Sequence, residues 1–143
     1  MDVAALSDKI FNYTGGYPFM VSRICKYIDE KFGKNWTLDG VQDAVQTLLV
    51  EKNTLFEDVS KNLENNKELY DFMYSLLIRG MTYDFVIDDP LINLGATYGF
   101  IKNANGKVAI ANKIFELRIA IFIIIHFHIH LQTTKSQHLA YQI

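Results

Sequence analysis

Asn105-Gly106 stands between two β-prone runs, FIKNA and KVAIA. A two-residue hairpin turn that matches the twist of its strands needs positive φ at both turn positions, and Asn-Gly is the pair best suited to that. No other stretch carries so strong a hairpin signal, and most of what precedes it has the apolar spacing of helices. The fold expected is therefore mainly α with a small β-hairpin.

The helices can be placed by their periodicity and their caps. After Pro18 the residues Val21, Ile24, Cys25, Ile28 and Phe32 recur at helical spacing, with Ser22, Arg23, Lys26, Asp29 and Glu30 opposite. Pro18 suits a first helical turn because it has no N–H to leave unpaired, and Gly33 supplies a stop. A second helix runs from Leu38 with Thr37 as N-cap, turning Val41, Val45, Leu48 and Leu49 inward. Thr54 with Glu57, and Asn65 with Glu68, read as two capping boxes. The helices they open carry Leu55, Phe56, Val59 and Leu63, then Leu69, Phe72, Met73, Leu76 and Leu77.

The second half changes character. TYDFVID alternates Tyr83, Phe85 and Ile87, the pattern of a short strand. Asp89 caps a short helix opened by Pro90 and closed by Gly99, the hairpin follows, and Asn112 caps a last helix through Ile114, Leu117, Ile121 and Phe122. Helix, strand, helix, hairpin, helix is the order of a winged-helix module. Three segments are expected: a helical lid-like lobe at 1–64, a winged-helix-like lobe at 65–125, and a divergent tail at 126–143.

Three stretches carry a family resemblance: YTGGYPFMVSRICKYIDE, NTLFEDVSKNLENNKELYDFMYSLLIRG and INLGATYGFIKNANGKVAIANKIFELRI. Together they resemble the C-terminal half of the bacterial AAA-ATPase-like family, within the broader STAND/AAA+ P-loop NTPases. The resemblance covers roughly residues 6 to 118. It implies a helical lid followed by a winged helix, with a Gly-x-Pro turn in the lid lying against bound nucleotide and sensing whether ATP or ADP is present. On this chain that role falls to Gly16, Tyr17 and Pro18, with Thr14 and Gly15 shaping the approach. ATP and Mg²⁺ are implied only for a full-length relative. The chain has no GxxxxGK[ST] loop, and VIDDP leads into a helix-starting proline where a Walker-B aspartate would end a strand. After Arg118 it departs from the family pattern, and no nuclease-like segment follows. The chain is accordingly expected not to be an enzyme by itself. It reads as a regulatory and interaction fragment whose partner is a P-loop ATPase core or another protein.

Each candidate has a plainer reading. Thr14 to Pro18 is also ordinary turn chemistry ahead of a helix. The winged helix invites a DNA-binding alternative, but its short helix PLINLGATY offers Asn93 as its only useful donor. The wing, Asn105, Gly106 and Lys107, adds with Lys102 only two isolated cations. Base readout needs donors aimed at base edges above a basic footprint, so intramolecular packing is the expected use. His126, His128 and His130 would share one face of a strand, whereas on a helix His126 and His130 would be neighbours. Zinc also needs supporting ligands, and no cysteine or carboxylate lies near, so no metal is expected. Cys25, beside Ile24, reads as a core thiol. Asp88-Asp89 and Asp29-Glu30 read as a helix cap and a solvated face.

Composition bounds the rest. The 143 residues make one domain or two very small ones sharing a core, and half of them are hydrophobic. A net charge of −2 gives no reason to expect nucleic acid or an anionic membrane as partner. A single cysteine excludes an internal disulfide framework, and the first ten residues lack a signal-peptide pattern, so a cytoplasmic setting is expected. The apolar run from Ile119 to Leu131 has 13 residues, short of the roughly 20 that span a bilayer. Ten of the 13 are apolar, and self-association through this tail is expected.

Overall fold

The computed structural model of the chain describes residues 1–31 and 33–141. It is mainly helical, with 69% helix among seven helices and one two-stranded antiparallel hairpin. The elements are α1 (Val3–Thr14), α2 (Pro18–Glu30), α3 (Leu38–Leu49), α4 (Thr54–Asn65), α5 (Lys67–Leu77), α6 (Pro90–Thr97), β1 (Ile101–Ala104), β2 (Lys107–Ile110) and α7 (Lys113–Tyr141). The position expected for Phe32 lies outside the described residues.

Local chemistry accounts for most boundaries. The Thr37 hydroxyl accepts from Gly40 N at 3.2 Å, and Asn112 Oδ1 accepts from Phe115 N at 2.9 Å. Asp89 Oδ1 accepts from Leu91 N and Ile92 N, with Pro90 at the first helical position. Two expected caps shift by one residue. Asn53, not Thr54, caps α4 by accepting from Phe56 N, and Asn66, not Asn65, caps α5 by accepting from Leu69 N. In each case the carboxamide next to the expected cap reaches the free amide of the first turn, and the residue named from sequence is itself helical. α1 was not singled out from its sequence; Asp2 caps it by accepting from Ala5 N.

At the hairpin, Ile101 pairs with Ile110 and Ala104 with Lys107, and Asn105 and Gly106 have φ of 52° and 87°. The expected strand in TYDFVID shrinks to a single bridge, Asp84 to Lys107, flanked by Phe85 N donating to Gly106 O and Val108 N donating to Tyr83 O. Tyr83 and Phe85 are half-buried, but Ile87 is exposed. The chain turns toward Asp89 too early for the alternation to run on.

One core serves the whole assembly. Met20, Ile24 and Ile28 of α2, Val41 and Leu48 of α3, and Phe56 and Leu63 of α4 are closed from solvent in one cluster with Leu69, Met73, Phe100, Phe115 and Ile119. α7 joins the two expected lobes, packing on α1, α3 and α4 as well as on α5 and β2. Arg118 fixes this junction: its Nη1 donates to Leu49 O at the end of α3, and its guanidinium lies 4.7 Å from the centre of the Phe56 ring. α7 runs unbroken past residue 125, where the divergent tail was expected to begin.

A close approach explains one glycine. A Cβ on Gly40 would lie 1.9 Å from Asn35 O, so the loop before α3 crosses the first helical turn only because that position is bare.

Candidate functional site

Thr14 to Pro18 forms the joint between α1 and α2. Gly15 ends α1 at φ 60°, its N–H donating to Phe11 O at 2.7 Å, and Gly16 continues at φ 81°. The Thr14 hydroxyl donates to Ile10 O at 2.8 Å and accepts from Gly16 N at 3.0 Å. Tyr17 N donates to Thr14 O, and Tyr17 O accepts from Val21 N, both at 3.1 Å. The amides of Gly15, Gly16 and Tyr17 are thus engaged inside the turn. What the joint presents outward is bare glycine backbone, the Pro18 ring, and the partly exposed rings of Tyr17 and Phe19.

The five residues named from sequence therefore divide by role. Thr14 is fully buried and works as the internal brace. Gly15, Gly16, Tyr17 and Pro18 are exposed. A Cβ on Gly15 would meet Ala111 O at 3.3 Å and Asn112 Cβ at 3.4 Å, so the turn rests against the segment where the hairpin feeds into α7. The Tyr17 ring meets the buried Phe115 ring, and Phe115 in turn touches Phe100 at 6.0 Å.

Two depressions border the joint. A groove of about 410 Å³ lies over α1 and α2, walled by Leu6, Ile10, Phe11, Val21, Cys25 and Trp36. A smaller and more polar one of about 240 Å³ lies between Phe11, Asn12, Gly15, Lys102, Ala111 and Asn112. Cys25 is not in the core as expected but half-buried on the groove wall. Burial raises its thiol pKa, which disfavours the thiolate.

Behind the joint, Arg23 lies near the rings of Phe19 and Tyr27, at 5.6 and 5.8 Å, and pairs with Glu51. Burial, and then hydrogen bonding and charge from Glu51, push the Tyr27 phenol up to about 12. Sequence reading placed Arg23 on the polar face of its helix. Its spacing of four residues from both Phe19 and Tyr27 is the signal that marks it as an aromatic-flanked cation. Lys102 and Asn112, on the rim of the smaller depression, gave no local signal of their place beside the turn.

The hairpin expected around Asn105, Gly106 and Lys107 is present, and Asn103 Oδ1 accepts from Gly106 N at 2.7 Å. Lys107 is ion-paired with Asp84, which reduces the basic character of the hairpin. α6 carries no Lys or Arg, and Asn93 is exposed on it.

The tail is helical, so His126, His128 and His130 do not share a face in the way a strand would allow. Among the described residues no group of three or more His, Cys, Asp or Glu side chains is placed to hold a metal ion. His126 instead packs at a tilt against Tyr70, ring centres 5.3 Å apart, and edge-on against Phe122 at 5.8 Å, and His128 interacts with Gln132 at 3.0 Å. Extended by the residues before Ile119 and after Leu131, α7 is long and apolar enough, by length and composition alone, to cross a membrane. Its first half is committed elsewhere, since Ile114, Phe115, Ile119 and Ile123 belong to the core.

Comparisons of the chain with protein-family models, with curated proteins and with solved structures find no match.

Proposed function

We propose that this chain is a non-catalytic lid and winged-helix unit of an AAA-ATPase-like assembly, with a P-loop core as its partner. In this reading the joint from Thr14 to Pro18 faces a nucleotide held mainly by that core. The observation that carries the reading is the contact of the joint with the hairpin exit, through Gly15 on Ala111 and Tyr17 on Phe115. A sensing turn is useful only if its position is passed on, and here it bears directly on the second lobe. The engaged amides support a contact role over a phosphate-holding one: the turn offers surface to a base or sugar, while a phosphate nest, a lysine and a Mg²⁺ ligand would come from the core. The engagement of Lys107 by Asp84 and the lack of cations on α6 weigh against the DNA-binding alternative.

The test is an NMR titration of the ¹⁵N-labelled chain with Mg-ATP and Mg-ADP up to several millimolar. The expected result is weak, non-saturating shifts at Gly15, Gly16 and Tyr17, accompanied by shifts at Ala111, Asn112 and Phe115. Shifts confined to other regions would defeat the reading, as would saturation at micromolar nucleotide, which would mean a complete site in this chain.

A further inference from the structure

Beyond His126 the chain leaves its own body. His126 packs on Tyr70 of α5, and every residue from 127 to 141 is exposed. The helix nevertheless continues for fifteen residues there, three of them His and two Thr, neither a strong helix former. An isolated helix of that length is marginal in water unless an apolar face is covered.

The face to be covered is large. Ile124, Ile125, Phe127, Ile129 and Leu131 are between 42% and 59% exposed, and Ile121 adds to the same surface. Together these side chains present on the order of 500 Å² of apolar area, toward the upper end of the largest patch a typical monomer exposes, a size that often marks a functional surface. That is the greater part of the roughly 800 Å² each partner contributes to a standard interface.

The chemistry of the segment selects its partner. From Ile119 to Tyr141 the only Lys, Arg, Asp or Glu is Lys135, so the surface has no charge pattern with which to select a charged peptide or an anionic bilayer. From Ile124 to Leu131 the free apolar part extends about 12 Å, against the ~30 Å of a bilayer core, and Gln132, Thr133, Thr134 and Lys135 then end it. An uncharged apolar surface of this kind is complementary to itself, and two-fold pairing sets the same patch against its copy. We infer that the exposed half of α7 is a homotypic docking helix, covered in solution by the same segment of a second copy of this chain. Pairing buries Ile125 and Ile129 and leaves the joint at Thr14–Pro18 on the far part of each body.

Sedimentation equilibrium of the full chain between about 1 and 100 µM tests this. The expected result is a mass approaching twice 16.5 kDa, with Ile125→Asp and Ile129→Asp each weakening the dimer at least tenfold. Both side chains are more than half exposed in the monomer, so circular dichroism of the variants should match the parent. Val50→Asp, on an apolar residue outside this segment that is 79% exposed, should leave the dimer intact. A chain that stays monomeric at 100 µM overturns the proposal. So does a dimer indifferent to both tail substitutions, or a monomer that floats with phosphatidylcholine vesicles.

Discussion

The ring of Tyr17 meets the ring of Phe115 edge-on, with centres 5.7 Å apart and planes at 80°. Tyr17 is the residue before the helix-starting proline of α2, and Phe115 lies in the first turn of α7. Phe115 is almost fully buried while Tyr17 is about one-third exposed, so the pair bridges core and surface at the candidate site.

Phe115→Ala should cost about 3–5 kcal/mol, the range for deleting a buried phenylalanine, whereas Tyr17→Ala should cost roughly 1–2 kcal/mol. A double-mutant cycle by urea denaturation should return a coupling of about 0.5–1.5 kcal/mol, and Tyr17→Phe should preserve it. Strict additivity of the two alanine variants would show that the rings do not act as a pair.

Gly40→Ala separates intrinsic helix preference from contact. Inside an exposed helix this change stabilises by about 1 kcal/mol. Here the new Cβ would collide with Asn35 O, so a loss of about 1–3 kcal/mol is expected. Thermal denaturation gives the sign directly.

Arg118→Met keeps most of the apolar stem but removes both the donor to Leu49 O and the cation over Phe56. A charge-assisted bond to a part-buried carbonyl predicts a loss of about 1.5–3 kcal/mol. The denaturation midpoint should fall with an unchanged slope; a midpoint equal to the parent's would show that the junction of α3 and α7 does not depend on this side chain.

Tyr27 makes stability pH-dependent at the alkaline end. Its phenol holds its proton up to about 12 in the folded chain against 10.0 ordinarily, first because it is buried and then because of Glu51. The folded state therefore binds the extra proton between those values. Its contribution is complete below pH 10 and is lost as the pH rises toward 12, on the order of 2 kcal/mol. Tyr27→Phe should show a shallower fall in stability over that window, and equal slopes for the two proteins would count against this assignment.

The caps and the hairpin were legible because their signals are local. Thr37, Asp89 and Asn112 each act within three residues of themselves, and Asn105-Gly106 needs nothing beyond its own backbone. Of the neighbouring asparagines the sequence reading took Asn65, and the folded geometry puts the cap on Asn66. α1 was obscured because it exposes Val3 and Phe11 and buries little besides Leu6 and Thr14, so its period is weak. The tail had no period at all: an apolar run wet on most sides reads equally as strand or helix. At the candidate site the turn was visible in Gly-Gly-Tyr-Pro. Its partners Ala111 and Phe115 lie nearly a hundred residues away, and nothing local ties them to it.

The continuity of α7 has a mechanical consequence. One end of the rod sits beneath Tyr17, and the other, from Phe127 to Tyr141, projects about 21 Å in one continuous helix. A tilt of about 10° where the rod leaves the body sweeps its tip through roughly 4 Å, the better part of one helical turn. The molecule is in effect a lever with its short arm under the glycine turn. A small displacement at the turn is thus multiplied along the long arm into a sideways shift of the tip.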